Sequence, residues 1–553
     1  MLGLSWQRLG NRERVIVLAI WAIVGLSVLA PSSAHAGGCE DSWTNSAGGS
    51  WFVGANWSKK APPASGEEVC ITKSGSYTVE MTQTTGTVSV KSLTIGGSSG
   101  TQTLTLGSSC SLNAVLTTTS GISNGARGAI TLTNGDGCAN NVTVSGPIAN
   151  TGKLTTEPGH GGARIIQGNL TNTGTFAIKT NTLYNGTGAV LTNAGTINIA
   201  EGTQMSVSGG GAVASNSGKI IGAGSGNLSQ VGGTFTERAG TTYGVVLDDA
   251  TLVYTGTSAE HGSGAIELRG ASVVSGNVRT EELLVIESTC SENAVATAAA
   301  SFYSAGTIAL TNGDGCANNA TLNMKDGTLT NTGTLSVVSS HGGVRLIKGN
   351  LLNESTMSVA AGETLQISGN FTQSSKGRLE TYIVGPSSFG SVSVTGAAAL
   401  AGKLTLFPVS PFMGSLGQTF AIVGSSSLTG KFATETEGQI DLTGLYYEPT
   451  YSATGVTLLV AQATMSLSAS SGPPGSTLTI SGSGYPPGDT VTPKLMERRS
   501  AVVVWPAVTT NAGGEYSTEV TIPPSSRALG HIRVTSSEAG VYLTAWFMVT
   551  SSL

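Results

Sequence analysis

The stretch GNLTNTGT, residues 168–175, decides how this chain folds. Its Asn172-x-Gly174 core recurs as IANTGKL around Asn150, LTNAGTI around Asn193 and ASNSGKI around Asn216, at spacings of 22, 21 and 23. It returns as LTNTGTL at Asn331 and, 22 residues later, as LLNESTM at Asn353, where Ser355 replaces the glycine. Asn and Gly tolerate the left-handed backbone of a tight corner, so each motif reads as a turn. The residues that follow alternate, as in Phe176 and Ile178 or Ile197 and Ile199, which places them on one face of a strand. A unit of about 22 residues cannot bury that face alone, so the units must stack. Asn at a fixed corner would then bond its counterpart in the next unit through the side-chain amides. The expected fold is all-β: an elongated parallel β-helix with coils of about 22 residues.

Composition agrees. The 553 residues exceed one compact core, and the 78 glycines disfavour helix. Only 11% of the chain is charged, while 39% is hydrophobic, which excludes a disordered chain. A net charge of −5 and the absence of any Lys/Arg-rich run argue against nucleic acid as a partner.

The G-N-L-x-N-x-G-T runs resemble those of right-handed parallel β-helices in exported bacterial surface proteins, including autotransporter-type passengers. The resemblance covers roughly residues 70–375. It implies a scaffold of about 14 coils, roughly 65–70 Å long at about 4.8 Å per coil. A longer duplication overlays the coils. LTNGDGCANN occupies residues 132–141 and 310–319, SSCSLNAV (108–115) matches STCSENAV (288–295), and ARIIQGNL (163–170) matches VRLIKGNL (344–351). Before the coils, Trp43, Trp51 and Trp57 resemble the W…W…NW entry segment of such proteins. Beyond them, PGSTLTISGSGYPPGDTV (474–491) is similar to bacterial Ig-like surface modules. The expected layout is a signal peptide (1–36), a Trp-rich cap (37–70), the β-helix (71–376), a β-rich closing module (377–463) and an Ig-like β-sandwich (464–553).

The signal reading rests on Arg8, Arg12 and Arg14 before the apolar run of residues 15–30, then Ala34-His35-Ala36 as a cleavage site. Retention of that run as an anchor is the alternative; no second hydrophobic span follows it, so no membrane span is expected after cleavage. Six cysteines, all beyond the cleavage site, fit an exported, disulfide-bonded chain. Cys138 lies 28 residues after Cys110, and Cys316 lies 26 after Cys290, each slightly more than one coil. Neighbouring coils are about 4.8 Å apart, within the Cα separation a disulfide requires. Each pair should therefore staple adjacent coils, and Cys39 with Cys70 should hold the cap.

Candidate chemistry is sparse. NGDGC resembles a calcium loop, but the twelfth positions counted from Asn134 and Asn312 are Ser145 and Asn323 rather than an acid. A glycosidase needs facing carboxylates. Among the few acids, Asp248 and Asp249 should point to opposite faces of a strand, and Glu267 with Arg269 should form a surface ion pair. Glu260 and Glu281–Glu282 complete the acidic candidates. His160 with Arg164 and His341 with Arg345, in the paired HGGAR and HGGVR turns, are the most site-like residues for an anionic sugar. Their duplication favours a structural role. The Trp cluster reads chiefly as a lid on the first coil, and otherwise as a platform for sugar rings. No catalytic residue, cofactor or metal set is expected. The sequence points to an exported, cell-surface or extracellular structural or adhesin-like protein, with surface glycans or other surface proteins as partners. The rivals are a polysaccharide lyase or glycosidase on the same scaffold, and a non-catalytic glycan binder.

Overall fold

The structure is a computed structural model that describes residues 38–550 except 83–86, 136–137, 160, 187, 209–212, 225, 256–261, 339–341, 437–438, 441–442, 498–499, 525–528 and 538–539. The expected signal segment, 1–36, lies outside the described residues. Cys39–Leu553 form one compact unit. It is built from strands, with a single 3₁₀ turn, Gly54–Asn56, among the described residues. No helix there is long and apolar enough to cross a membrane.

The parallel β-solenoid runs through residues 41–408 in about 14 turns. One coil consists of Ile148–Asn150, Lys153–Thr156 and Arg164–Gln167; the next consists of Leu170–Asn172, Thr175–Ile178 and Thr182–Asn185. Each strand pairs in parallel with its counterpart one coil away. The alternation read from the sequence sets which side chains face inward. Leu154, Phe176, Ile197 and Ile220 stack in consecutive coils, all buried, and Ile166, Tyr184 and Val207 form a second such column. Burying each large apolar side chain contributes about 1.5–3 kcal/mol, and nearly every coil adds several.

Asparagine supplies the polar column. Asn124 Nδ2 donates to Asn150 Oδ1 (2.6 Å), Asn150 to Asn172 (2.7 Å), Asn172 to Asn193 (2.7 Å) and Asn193 to Asn216 (2.8 Å). The same amides also reach backbone carbonyls of the next coil, Thr175, Thr196 and Lys219. A second ladder runs from Asn331 to Asn353 (2.8 Å) and on to Gln373 (3.2 Å). The role expected for the glycine is corrected. Gly152, Gly174, Gly195 and Gly218 are not left-handed. A Cβ on Gly174 would lie 2.2 Å from the Gly152 carbonyl oxygen, and the same clash recurs at Gly195 and Gly218. Close stacking of successive corners selects glycine, rather than backbone handedness.

Parallel pairing continues past residue 376: Arg378–Ile383 pairs with Lys403–Pro408, and Ser391–Val394 with Thr419–Gly424. The solenoid then ends in antiparallel strands. Gly455–Gln462 pairs with both Thr419–Gly424 and Leu445–Tyr451, which occupies the open edge. Residues beyond 463 form two small sheets around a separate apolar core that contains Leu478, Ile480, Val520, Ile532, Val534 and Phe547. Tyr446 of the closing hairpin joins that core, and its hydroxyl donates to the Gly484 carbonyl (3.0 Å).

Asn172→Ala would remove one rung, taking one of two acceptors from the Asn150 amide nitrogen and the side-chain donor from Asn193 Oδ1. A loss of about 2 kcal/mol is expected, read in urea unfolding together with faster amide exchange in the strands at 148–150 and 190–193. Wild-type exchange there would show that the ladder contributes nothing.

Candidate functional site

The duplicated motifs converge on one corner of the solenoid. In the first copy the corner has three layers, to which residues 108–115, 132–135 with 138–141, and 161–164 contribute. Cys110 and Cys138 are bonded, with Cα atoms 4.9 Å apart, and Cys290 and Cys316 repeat the arrangement at 5.0 Å. Asn134 Nδ2 donates to the carbonyls of Cys138, Asn140 and Gly161; Asn312 does the same to Cys316, Asn318 and Gly342. Asn141 receives a bond from Ala163 N–H and gives its own N–H to Asn113 Oδ1, linking all three layers. Asn319 makes the same two bonds with Val344 and Asn293. Gly162 and Gly343 are left-handed (φ 71° and 74°), and a Cβ on either would sit 1.9 Å from a carbonyl oxygen of the layer below. The three motifs therefore recur together because each is shaped to the next.

The HGGxR arginines lie inside this corner. Arg164 and Arg345 are fully buried. Arg164 donates to the carbonyls of Gly161 (2.9 Å), Gly162 (2.8 Å) and Glu157 (3.0 Å), and Arg345 to Gly342 (2.8 Å), with Glu363 at 3.9 Å. Burial pulls both guanidinium pKa values down. Neither side chain faces a ligand from outside. The carboxylate of Glu157 pairs instead with Lys179 (2.8 Å). His160, His341 and Glu260 lie outside the described residues, as does Asp136 of the first NGDGC turn. In the second turn Asp314 accepts the Cys290 N–H (3.0 Å), so its carboxylate braces the disulfide partner.

The indoles are also interior. Trp43, Trp51 and Trp57 are buried, packed edge to face with ring centroids 5.0 and 4.8 Å apart. Trp43 stacks on Tyr77, and the indole N–H groups of Trp43 and Trp57 donate to the carbonyls of Asn45 and Trp51. The Cys39–Cys70 bond, Cα atoms 5.6 Å apart, ties this lid to the coils. An indole with no open face cannot serve as a sugar platform.

Two acidic groupings differ from the sequence reading. Asp248 and Asp249 do not diverge: the strand Thr241–Asp248 ends there, and Asp249 turns left-handed (φ 49°). Both converge on Glu292, with ligand atoms within 4.8 Å of one another. Burial, then Asp248 and Asp249, push the Glu292 carboxyl pKa up. Carboxylates this close share one locus and leave no room for a glycosidic bond between them. Glu267 does bond Arg269 as expected, with Glu287 4.0 Å from the same guanidinium.

The second grouping was missed. Glu237, Arg279 and Glu282 are buried inside the solenoid. Arg279 binds Glu282 through Nη2 (2.6 Å) and Nε (3.0 Å), donates to the Thr255 carbonyl, and lies 3.9 Å from Glu237. Glu237 accepts from Gly240 N–H (2.7 Å), Thr242 and Asn216. It occupies the ladder position after Asn216, 21 residues on, so the coil period itself was the available signal. Burial raises the Glu237 pKa.

Replacing Cys110 and Cys138 with serine should cost about 3–4 kcal/mol for a loop of this length; an unchanged denaturation midpoint would show that the clasp is idle. Because its folded pKa is raised, Glu237 makes a charged-form cost that grows as pH rises above the unfolded carboxyl range through the folded value. Glu237→Gln should therefore raise the thermal midpoint at pH 8, with the gain shrinking toward pH 5. A lower midpoint at pH 8 would mean that the ion pair with Arg279 outweighs desolvation. No protein-family model matches this chain, and no curated protein matches it.

Proposed function

We propose that the protein is an exported bacterial protein, placed at the cell surface or outside the cell, with a structural or adhesin-like role and no catalytic function. The observation that carries this reading is how the duplicated motifs use their polar groups. Asn134, Asn140, Asn141 and the Cys110–Cys138 bond reach neighbouring coils, Arg164 is spent on carbonyls of its own coil, and the second block does the same. A block selected for chemistry would aim such groups at a substrate. This one aims them at lengthening and fastening a scaffold.

Export is supported by three disulfides, since such bonds persist in oxidising compartments and are rare in the cytosol. In this reading residues 1–36 direct secretion, the solenoid is the right-handed kind of the autotransporter-like passengers it resembles, and the two sheets beyond residue 463 form an Ig-like module. Surface glycans or surface proteins are the partners.

The test incubates the oxidised, mature protein with a panel of acidic and neutral polysaccharides and reads new reducing ends and unsaturated products. None is expected above a heat-denatured control. Sustained turnover of any member would overturn the structural reading in favour of a carbohydrate-active enzyme. Fractionation of the native host should place the protein outside the inner membrane with all cysteines oxidised.

A further inference from the structure

The most ligand-ready surface lies on the larger sheet of the C-terminal module. Its strands Tyr542–Val549, Leu529–Ser536, Thr490–Glu497 and Ser500–Val504 lie side by side, antiparallel. Alternation sends Leu543, Phe547, Ile532, Val534, Val491 and Leu495 into the module core. The opposite face carries Tyr542, Thr544, Trp546 and Met548 on one strand, with His531 and Arg533 beside them and Lys494 on the next. Trp546 is 70% exposed, more than any other large apolar side chain described.

Register fixes the rows across this face. His531 lies opposite Trp546, with the rings edge to face at 5.6 Å. Arg533 lies opposite Thr544 on one side and Lys494 on the other. Its guanidinium sits over the Tyr542 ring, 4.9 Å from the centroid. Two cations directly opposite one another on adjacent strands repel. Neither has a carboxylate partner among the described residues. The sheet therefore holds two cations side by side with no carboxylate partner among the described residues, Arg533 resting on the Tyr542 ring and the Trp546 ring open beside it.

We propose that this face binds an acidic polysaccharide, with Trp546 and Tyr542 covering sugar rings and Arg533 with Lys494 holding their carboxylate or sulfate groups. Flat apolar rings suit the C–H faces of a pyranose, and a guanidinium binds oxyanions in bidentate fashion. Tyr542 and Trp546 are four residues apart on one strand, about 13 Å, which spans a short run of sugar units. Thr492, Thr535 and Thr544 supply hydroxyls on the same rows. The two cations that the described residues place on this face neutralise too few phosphates to hold nucleic acid at physiological salt. A second copy of the chain would oppose like charge to like across a two-fold contact.

The proposal deepens the adhesin-like reading by naming the partner, and it is tested on the purified full chain so that the two fail separately. Affinity electrophoresis should show retardation by polygalacturonate and by dextran sulfate, the two arms separating carboxylate from sulfate as the recognised anion, and none by neutral dextran. Trp546→Ala and Arg533→Gln should each weaken binding at least tenfold, with Arg533→Lys intermediate. Lys376→Ser and Lys403→Ser, in an open recess of about 500 Å³ on the solenoid, should leave it unchanged. Unchanged unfolding midpoints would establish that the variants fold; Thr544→Trp, which crowds the face from the surface, serves if one does not. Equal retardation by neutral dextran, wild-type binding by Trp546→Ala, tighter binding of a thymidine oligonucleotide, or a dimer dissolved by Trp546→Ala would each overturn the proposal. Binding without turnover would leave the structural or adhesin-like reading standing, whereas turnover would remove that reading and leave this face intact.

Discussion

Everything in this solenoid follows from one constraint: each coil must offer the next a matching surface at the spacing of hydrogen-bonded strands. Backbone pairing sets the distance, and the side chains must conform to it. Apolar columns such as Leu154, Phe176, Ile197 and Ile220 satisfy the constraint easily, because similar volumes stack without directional demands. A buried polar group has a harder task, since it must find its partner one coil up or down. Asparagine meets it in both directions at once. Its carbonyl accepts from the preceding amide while its own amide donates to the next, so a rung leaves no buried donor unpaired as long as its neighbours are present.

The same constraint explains why corners rather than strands carry the longest repeated words. A strand tolerates any inward apolar residue, but a three-layer corner does not. Gly162 admits no Cβ because the Asn140 carbonyl lies beneath it, and Asn141 must reach both Asn113 and Ala163. Changing one layer would strand groups in the other two. A block of coils copied as a unit keeps these contacts intact, which is how NGDGC, SxCSxNAV and HGGxR come to be repeated together.

Much of this was legible from residue spacing. The period exposed the coils, and the 28- and 26-residue separations paired the cysteines, because both are one-dimensional readings of a one-dimensional fold. The failures occurred where position within a coil departs from the repeat. Asp249 escapes strand alternation because its backbone turns left-handed directly after Asp248. Glu237 looks like one more surface acid until the ladder register places it above Asn216, inside. Arg279 then follows as the cation between Glu237 and Glu282, and nothing in its own neighbourhood announces burial. Glycine was found correctly at the corner but for the wrong physical reason, since close approach and left-handed φ select the same residue.

The ends show where a solenoid can acquire binding. Along the coils the inward side chains are committed to stacking and the corner groups to neighbouring layers. At the start, Trp43, Trp51 and Trp57 close the first coil with their rings buried. At the other end the antiparallel hairpin of Leu445–Tyr451 and Gly455–Gln462 stops the propagation of parallel pairing and passes Tyr446 to a second core. Once that core exists, a sheet has one face satisfied and one free. Tyr542, Trp546, Arg533 and Lys494 stand on the free face, outside the constraint that governs the coils. A protein whose interior is fixed by repetition places its least repetitive chemistry where repetition ends.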